Sequence, residues 1–424
     1  MRRPYPLLFA LCVPLVFLHA DYQPSFTVSI GGSDATLFLS DAAVLAAGAV
    51  GIAAGTRLGF APLHAGRAIW IASAIFLAFV LAGTAVGAAS IDGYPLADNL
   101  LTAAKLAEYS LLALAAPLAI RGAEELAPLL VTLTAWSTAA TCGALLQFLG
   151  VLNEFEGRRP GQREPSFLGI HDLAALSGAT LAVGLLALAL GERRRLGLVA
   201  GVAGGLGVIL SGATAAVVGV AAAGAAAWLL GRRRALTIGA VVLVVAGGTI
   251  AIRTVDMRPL LDALGIDRPR EVATDPEASW QQRVALAYIG GRIFLDHPLL
   301  GVGWQGSSEP ESYQPYLADA RERFPDLPER ALPSPEHAWG VQNAYVQAAA
   351  DLGVGGLVAW LALFLVPLAV AWRAGAAAGV PILWLLVSMG IWIGLGLVAG
   401  IPLVGLTWLS IGLAAASAAW RELV

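Results

Sequence analysis

This sequence is short of charge: Asp, Glu, Lys and Arg make up only 13% of its 424 residues, where a soluble domain is near 25%. Lys105 is the only lysine in the chain. There are two cysteines, Cys12 and Cys142. Both sit inside apolar runs, which excludes a disulfide framework or a cysteine metal site. The histidines are His19, His64, His171, His297 and His337, and none has metal-ligand spacing to another His, Cys or carboxylate. No G-K-S/T triplet occurs, so a Walker phosphate loop is excluded. Gly301-Val302-Gly303-Trp304-Gln305-Gly306 fits G-x-G-x-x-G literally. However, it follows Asp296-His297-Pro298 rather than a buried strand, so its glycines read as a tight turn. The sequence therefore predicts no metal, no cofactor and no nucleic-acid partner.

What the chain has is long apolar runs. It is 58% hydrophobic, with mean hydropathy +0.75. Runs of roughly 18–25 apolar residues, each long enough for a hydrocarbon core of about 30 Å, recur along it. The predicted fold is all-α, a polytopic bundle of about twelve spans. They centre on 5–20, 36–56, 68–90, 100–120, 126–150, 168–190, 196–211, 213–230, 235–252, 354–372, 379–399 and 402–420. Arg2-Arg3 and the apolar run to His19-Ala20 read as an uncleaved first span. Three regions follow: spans one to nine over 1–252, a large polar insert over 253–340, and a surface helix with the last three spans over 341–424. We read them as one structural unit.

Arginine placement sets the orientation. With the N-terminus in the cytoplasm, every short inner loop carries at least one Arg, and the outer loops 21–34 and 91–99 carry no Lys or Arg. The reverse orientation would put Arg193–Arg195 and Arg232–Arg234 outside. The insert is then outside and both termini are cytoplasmic. Arg158, Arg159 and Arg163 in the outer loop 152–167 run against this rule. They either bind an anionic ligand or pair with Glu154, Glu156 and Glu164 of the same loop.

Further polar candidates collect at the outer ends of the spans. Lys105 and Glu108 share one helical face, so Lys105 either pairs with Glu108 or takes part in binding. Residues 279–295 read as an amphipathic helix. Arg283 and Arg292 point to opposite sides of it, and Arg292 has Asp296 four residues on as a partner, which leaves Arg283 for function. As one helix, 341–372 would run roughly 48 Å, too long for the membrane. The expectation is a short surface helix to about residue 352, a cap or hinge at Gly353, and a span from Val354. Gln342, Asn343, Tyr345 and Asp351 would lie at the interface. His337, just before that helix, is a candidate base.

Ser279-Trp280-Gln281-Gln282-Arg283, His297-Pro298-Leu299-Leu300-Gly301-Val302-Gly303, Gln342-Asn343-Ala344-Tyr345, and Gly353 with Gly355-Gly356-Leu357 together resemble the O-antigen ligase and polymerase family of bacterial membrane glycosyltransferases. Lys105-Leu106-Ala107-Glu108-Tyr109 is similar to the family's fourth-span region. The likeness is specific from about 279 to 357. This chain departs in having Gln342-Asn343 where family ligases usually show His-Asn, and Ser211-Gly212 where they usually show Ser/Thr-Arg.

The resemblance implies a GT-C-like bundle in the bacterial cytoplasmic membrane. It also implies a glycan donor linked to undecaprenyl diphosphate on the outer leaflet, and a glycan, lipid or protein acceptor whose hydroxyl is the nucleophile. In that chemistry Arg283 and Arg163 would face the diphosphate, and Arg158, Arg159 and Lys105 would help to bind the substrate. His337 would take the proton, and Gln342, Asn343 and Tyr345 would position sugar. A transporter of a small anion or sugar and a non-catalytic envelope scaffold are the competing readings.

Overall fold

The computed structural model describes residues 4–30, 33–152, 161–231, 234–255, 257, 276–335, 337, 339–397 and 401–422. Its apolar runs are helices, because a chain without water partners must satisfy its backbone internally. In order these are α1 (Tyr5–Cys12), α2 (Leu39–Leu58), α3 (Arg67–Ser90), α4 (Leu96–Tyr109), α5 (Leu111–Ala119), α6 (Ala127–Phe148), α7 (Ile170–Leu190), α8 (Arg194–Ser211), α9 (Thr214–Gly231) and α10 (Ala235–Thr254). There follow α11 (Pro276–Asp296), α12 (Leu317–Arg323), α13 (Ala344–Ala374), α14 (Gly379–Ile391) and α15 (Ile401–Glu422).

Among the described residues, ten stretches are helical, long and apolar enough to cross a membrane. One of them, Ala344–Gly394, is α13 and α14 joined by a short turn, and Tyr5–Phe17 is a shorter apolar helix. Burial orders the bundle. Some 83% of the apolar window of α7 and 89% of that of α15 are buried, against 22% for α10, so α7 and α15 form the centre and α10 the rim. Trp384, Trp392, Trp408 and Phe364 fill the main core.

The all-α bundle carries one small hairpin that the sequence reading did not expect. β1 (Ser25–Ile30) and β2 (Ser33–Phe38) form an antiparallel hairpin with Ser25 opposite Phe38 and Ile30 opposite Ser33. Phe26, Val28 and Ile30 alternate with Thr27 and Ser29, a period of two that suits a strand. The Gly31-Gly32 pair between the strands is a strong two-residue hairpin signal.

The described residues of the polar stretch from 276 onward have their own small core. Ala285, Ile289 and Ile293 of α11 pack with Tyr313, Tyr316, Ala320 and Leu332, and this cluster reaches Ala350 of α13. The Tyr316 hydroxyl donates to Asp296 at 2.6 Å and that of Tyr288 to Asp319 at 2.5 Å. Arg292 pairs with Asp319 at 3.4 Å rather than with Asp296, which is taken by Tyr316.

Lys105 departs from expectation in the same way. Its ammonium lies 2.5 Å from the Asp41 carboxylate in the first turn of α2, and 5.0 Å from the Phe38 ring centroid. Its partner is thus 64 positions away, not Glu108 one turn along.

Candidate functional site

The site is framed by a break in α13. Gly353 has φ +68° and ψ −168°, outside helical geometry. A break frees carbonyls that the next turn would otherwise satisfy. Here the segment 298–307 supplies the missing donors. Val302 N donates to Ala350 O and Gly303 N to Asp351 O, both at 2.9 Å, and Val354 N donates back to Pro298 O at 2.8 Å. A side chain at Gly353 would overlap the Leu299 carbonyl. The glycine-rich stretches 301–303 and 353–356 are therefore two halves of one joint.

Asp351 locks that joint. It is fully buried, and its two carboxylate oxygens accept the Gln305 and Ser307 amides at 3.0 Å each. Gln347 donates to the same carboxylate at 3.1 Å and accepts from Leu397 N at 2.7 Å, tying the joint to the segment after α14. On the other side the Tyr94 hydroxyl donates to the Trp304 carbonyl at 2.5 Å. Burial pushes the Tyr94 pKa up to about 12, which keeps the hydroxyl a donor at neutral pH.

Beside this frame, arginines from three distant stretches converge. Arg283, on the third turn of α11, is half-buried, and its Nε donates to Gln342 Oε1 at 3.1 Å. Burial, followed by the neighbouring charge of Arg253, lowers its pKa, yet a guanidinium remains charged at any physiological pH. Arg253, in the last turn of α10, donates from Nη1 to the Gly212 carbonyl at 3.1 Å. Gly212 makes the tight turn between α8 and α9 in the left-handed conformation, with φ +58° and ψ 20°. A Cβ placed there would lie 2.9 Å from Arg163 Cβ and 3.4 Å from Arg253 Cγ. The Arg163 and Arg253 stems therefore both pack on the face of this turn. The Glu164 amide holds the Arg163 segment to the end of α8 through Leu210 O at 2.8 Å. Arg158 and Arg159 lie outside the described residues.

The remaining predicted residues have specific local tasks. Asn343 caps α13: its Oδ1 accepts the Tyr345 and Val346 amides at 3.1 Å each, a standard N-cap arrangement. The Tyr345 hydroxyl donates to the Met389 carbonyl at 2.9 Å. Gln342 meets Arg283 through the acceptor end of its amide. His337 is exposed and is held in a two-residue bridge with Ser334 by two backbone bonds of 3.0 Å. Lys105 belongs to the Asp41 pair rather than to this group. Among the described residues, no three His, Cys, Asp or Glu side chains converge in a way that could hold a metal ion.

Sequence reasoning missed Arg253 and the locking role of Asp351. The sequence places Arg253 only as the first residue of the polar insert 253–340. Nothing in its spacing linked it to Gly212, 41 positions earlier.

Residues 199–361 match the family model described as O-antigen ligase. The matched stretch runs from within α8 through the break in α13. It contains the Gly212 turn, Arg253, Arg283 and both halves of the glycine joint. A search of curated proteins gave no match.

Proposed function

We propose that this chain, whose residues 199–361 match the O-antigen ligase family model, transfers a glycan from a polyprenyl diphosphate to an acceptor hydroxyl at the outer face of the membrane. The observation that carries the proposal is the approach of Arg253, which packs with the Arg163 stem on the Gly212 turn, to Arg283. Arg253 lies close enough to Arg283 for its charge to lower the pKa of that guanidinium, and an anion seated beside the two would offset their repulsion. Arginine forks match phosphate oxygens, and the diphosphate of an activated lipid is the anion that this position would meet. Both termini would be cytoplasmic. Twelve spans result if Tyr5–Phe17 crosses the membrane and α13 and α14 cross separately.

In the reaction, the acceptor oxygen bonds to the anomeric carbon. The bond from that carbon to the diphosphate oxygen breaks, and the diphosphate leaves with the electron pair. The arginines stabilise the negative charge that gathers on the leaving group, and fixed donors of this kind contribute most where charge develops in the transition state. His337 accepts the hydroxyl proton and passes it to solvent. Gln342 holds Arg283 in place, which gives the glutamine a task that requires no proton transfer. No metal ion takes part in this scheme.

The test is substitution. Arg253→Ala and Arg283→Ala should each lower the transfer rate roughly 10²–10³-fold, the usual cost of removing one charge-stabilising donor. Rates within a factor of two of the parent for both variants would remove the basis of the assignment.

A further inference from the structure

We propose that Trp339 forms an aromatic platform for a sugar ring of the donor glycan, beside the arginine cluster; this rests on the glycan-transfer reading above. Trp339 comes just before the site in sequence. Trp339 is three residues from Gln342, a reach of at most about 11 Å along an extended chain, and Gln342 touches Arg283.

The indole is fixed without being buried. Its Nε1 donates to the Arg330 carbonyl at 3.0 Å, its backbone amide donates to the His337 carbonyl at 2.7 Å, and it stays half-exposed. The two rings lie near-parallel, 25° apart, with centroids separated by 6.1 Å. At that separation they are offset, so neither ring covers the other. Trp280, 61% exposed, sits one helical turn before Arg283 on the same side of α11, a second indole flanking the cluster.

A pyranose presents C–H groups on its faces. An aromatic face is electron-rich, so C–H groups stack on it while the sugar hydroxyls stay at the rim. The polar groups expected to position sugar are already engaged: Asn343 caps α13, and the Tyr345 hydroxyl is bonded to Met389. Trp339, held by its two hydrogen bonds, remains as a fixed aromatic surface three residues from Gln342.

The test compares binding of two probes by the full-length protein in nanodiscs. One is a polyprenyl diphosphate carrying an oligosaccharide, and the other is the same polyprenyl diphosphate without sugar. Trp339→Leu should weaken binding of the glycan-bearing probe roughly five-fold, the scale of one aromatic contact, and leave the sugar-free probe unchanged. Trp339→Phe, which keeps an aromatic face, should lie close to the parent. Equal weakening of both probes would make Trp339 a structural or membrane-interface residue and overturn the proposal, as would no change for either. The glycan-transfer reading fails separately, if Arg283→Ala leaves binding of both probes intact.

Discussion

Replacing Asp351 by Ala should release the segment 298–307 from α13. The carboxylate accepts three hydrogen bonds, from Gln305 N, Ser307 N and Gln347 Nε2. A buried donor left unpaired costs about 1–3 kcal/mol. The Gln347 amide keeps a bond to the Gln305 side chain, so most of the loss falls on the two backbone amides. The expected total is on the order of 2–6 kcal/mol, enough to open the joint locally while the rest of the bundle holds. Asp351→Asn should be intermediate: its oxygen still accepts, but its amide group would point a donor at one of the two backbone donors. Because a polytopic protein unfolds irreversibly in detergent, the assay is a rate. Limited proteolysis within 298–307 should be faster for Asn and faster again for Ala, and thermal inactivation should follow the same order. Parent-like cleavage and inactivation in Asp351→Ala would refute the claim that this carboxylate locks the joint.

Other substitutions test separate parts of the account. Lys105→Met leaves the Asp41 carboxylate buried without its cation and should destabilise the fold by about 3–5 kcal/mol, read as lost detergent-stable protein. The double variant Lys105→Met, Asp41→Leu should recover most of it, whereas an equally unstable double variant would contradict a pairing role. Gly212→Ala forces a side chain into the left-handed region at about 1–2 kcal/mol and pushes on the Arg163 stem. Transfer should fall more than the yield of folded protein does, and unchanged transfer would mean that the turn does not set the arginine geometry.

Local rules made part of this architecture legible. The length limit on a membrane helix required a break in 341–372, and Gly353 was the residue able to make it. Helical spacing separated Arg283 from Arg292, and the structure turns Arg283 toward Gln342 and Arg292 toward Asp319. Contacts between distant stretches left no such mark. Lys105 meets Asp41 across 64 positions and Arg253 meets Gly212 across 41, and in both cases a nearer carboxylate or a bland position drew the expectation elsewhere. The hairpin at 25–38 was hidden because a short period-two pattern carries little weight inside a chain dominated by apolar helices. The departure at Gly212 also gains a physical sense: the turn is left-handed and the Arg163 stem occupies the space a side chain would need.

The most direct measurement is transfer by the purified protein in liposomes, with a polyprenyl diphosphate-linked oligosaccharide and a glycan acceptor supplied to its outer face and no nucleotide added. The account predicts that free polyprenyl diphosphate appears in step with acceptor-bound glycan. It is contradicted if the donor stays intact while the protein is folded, or if a labelled solute crosses the bilayer and no glycan product forms.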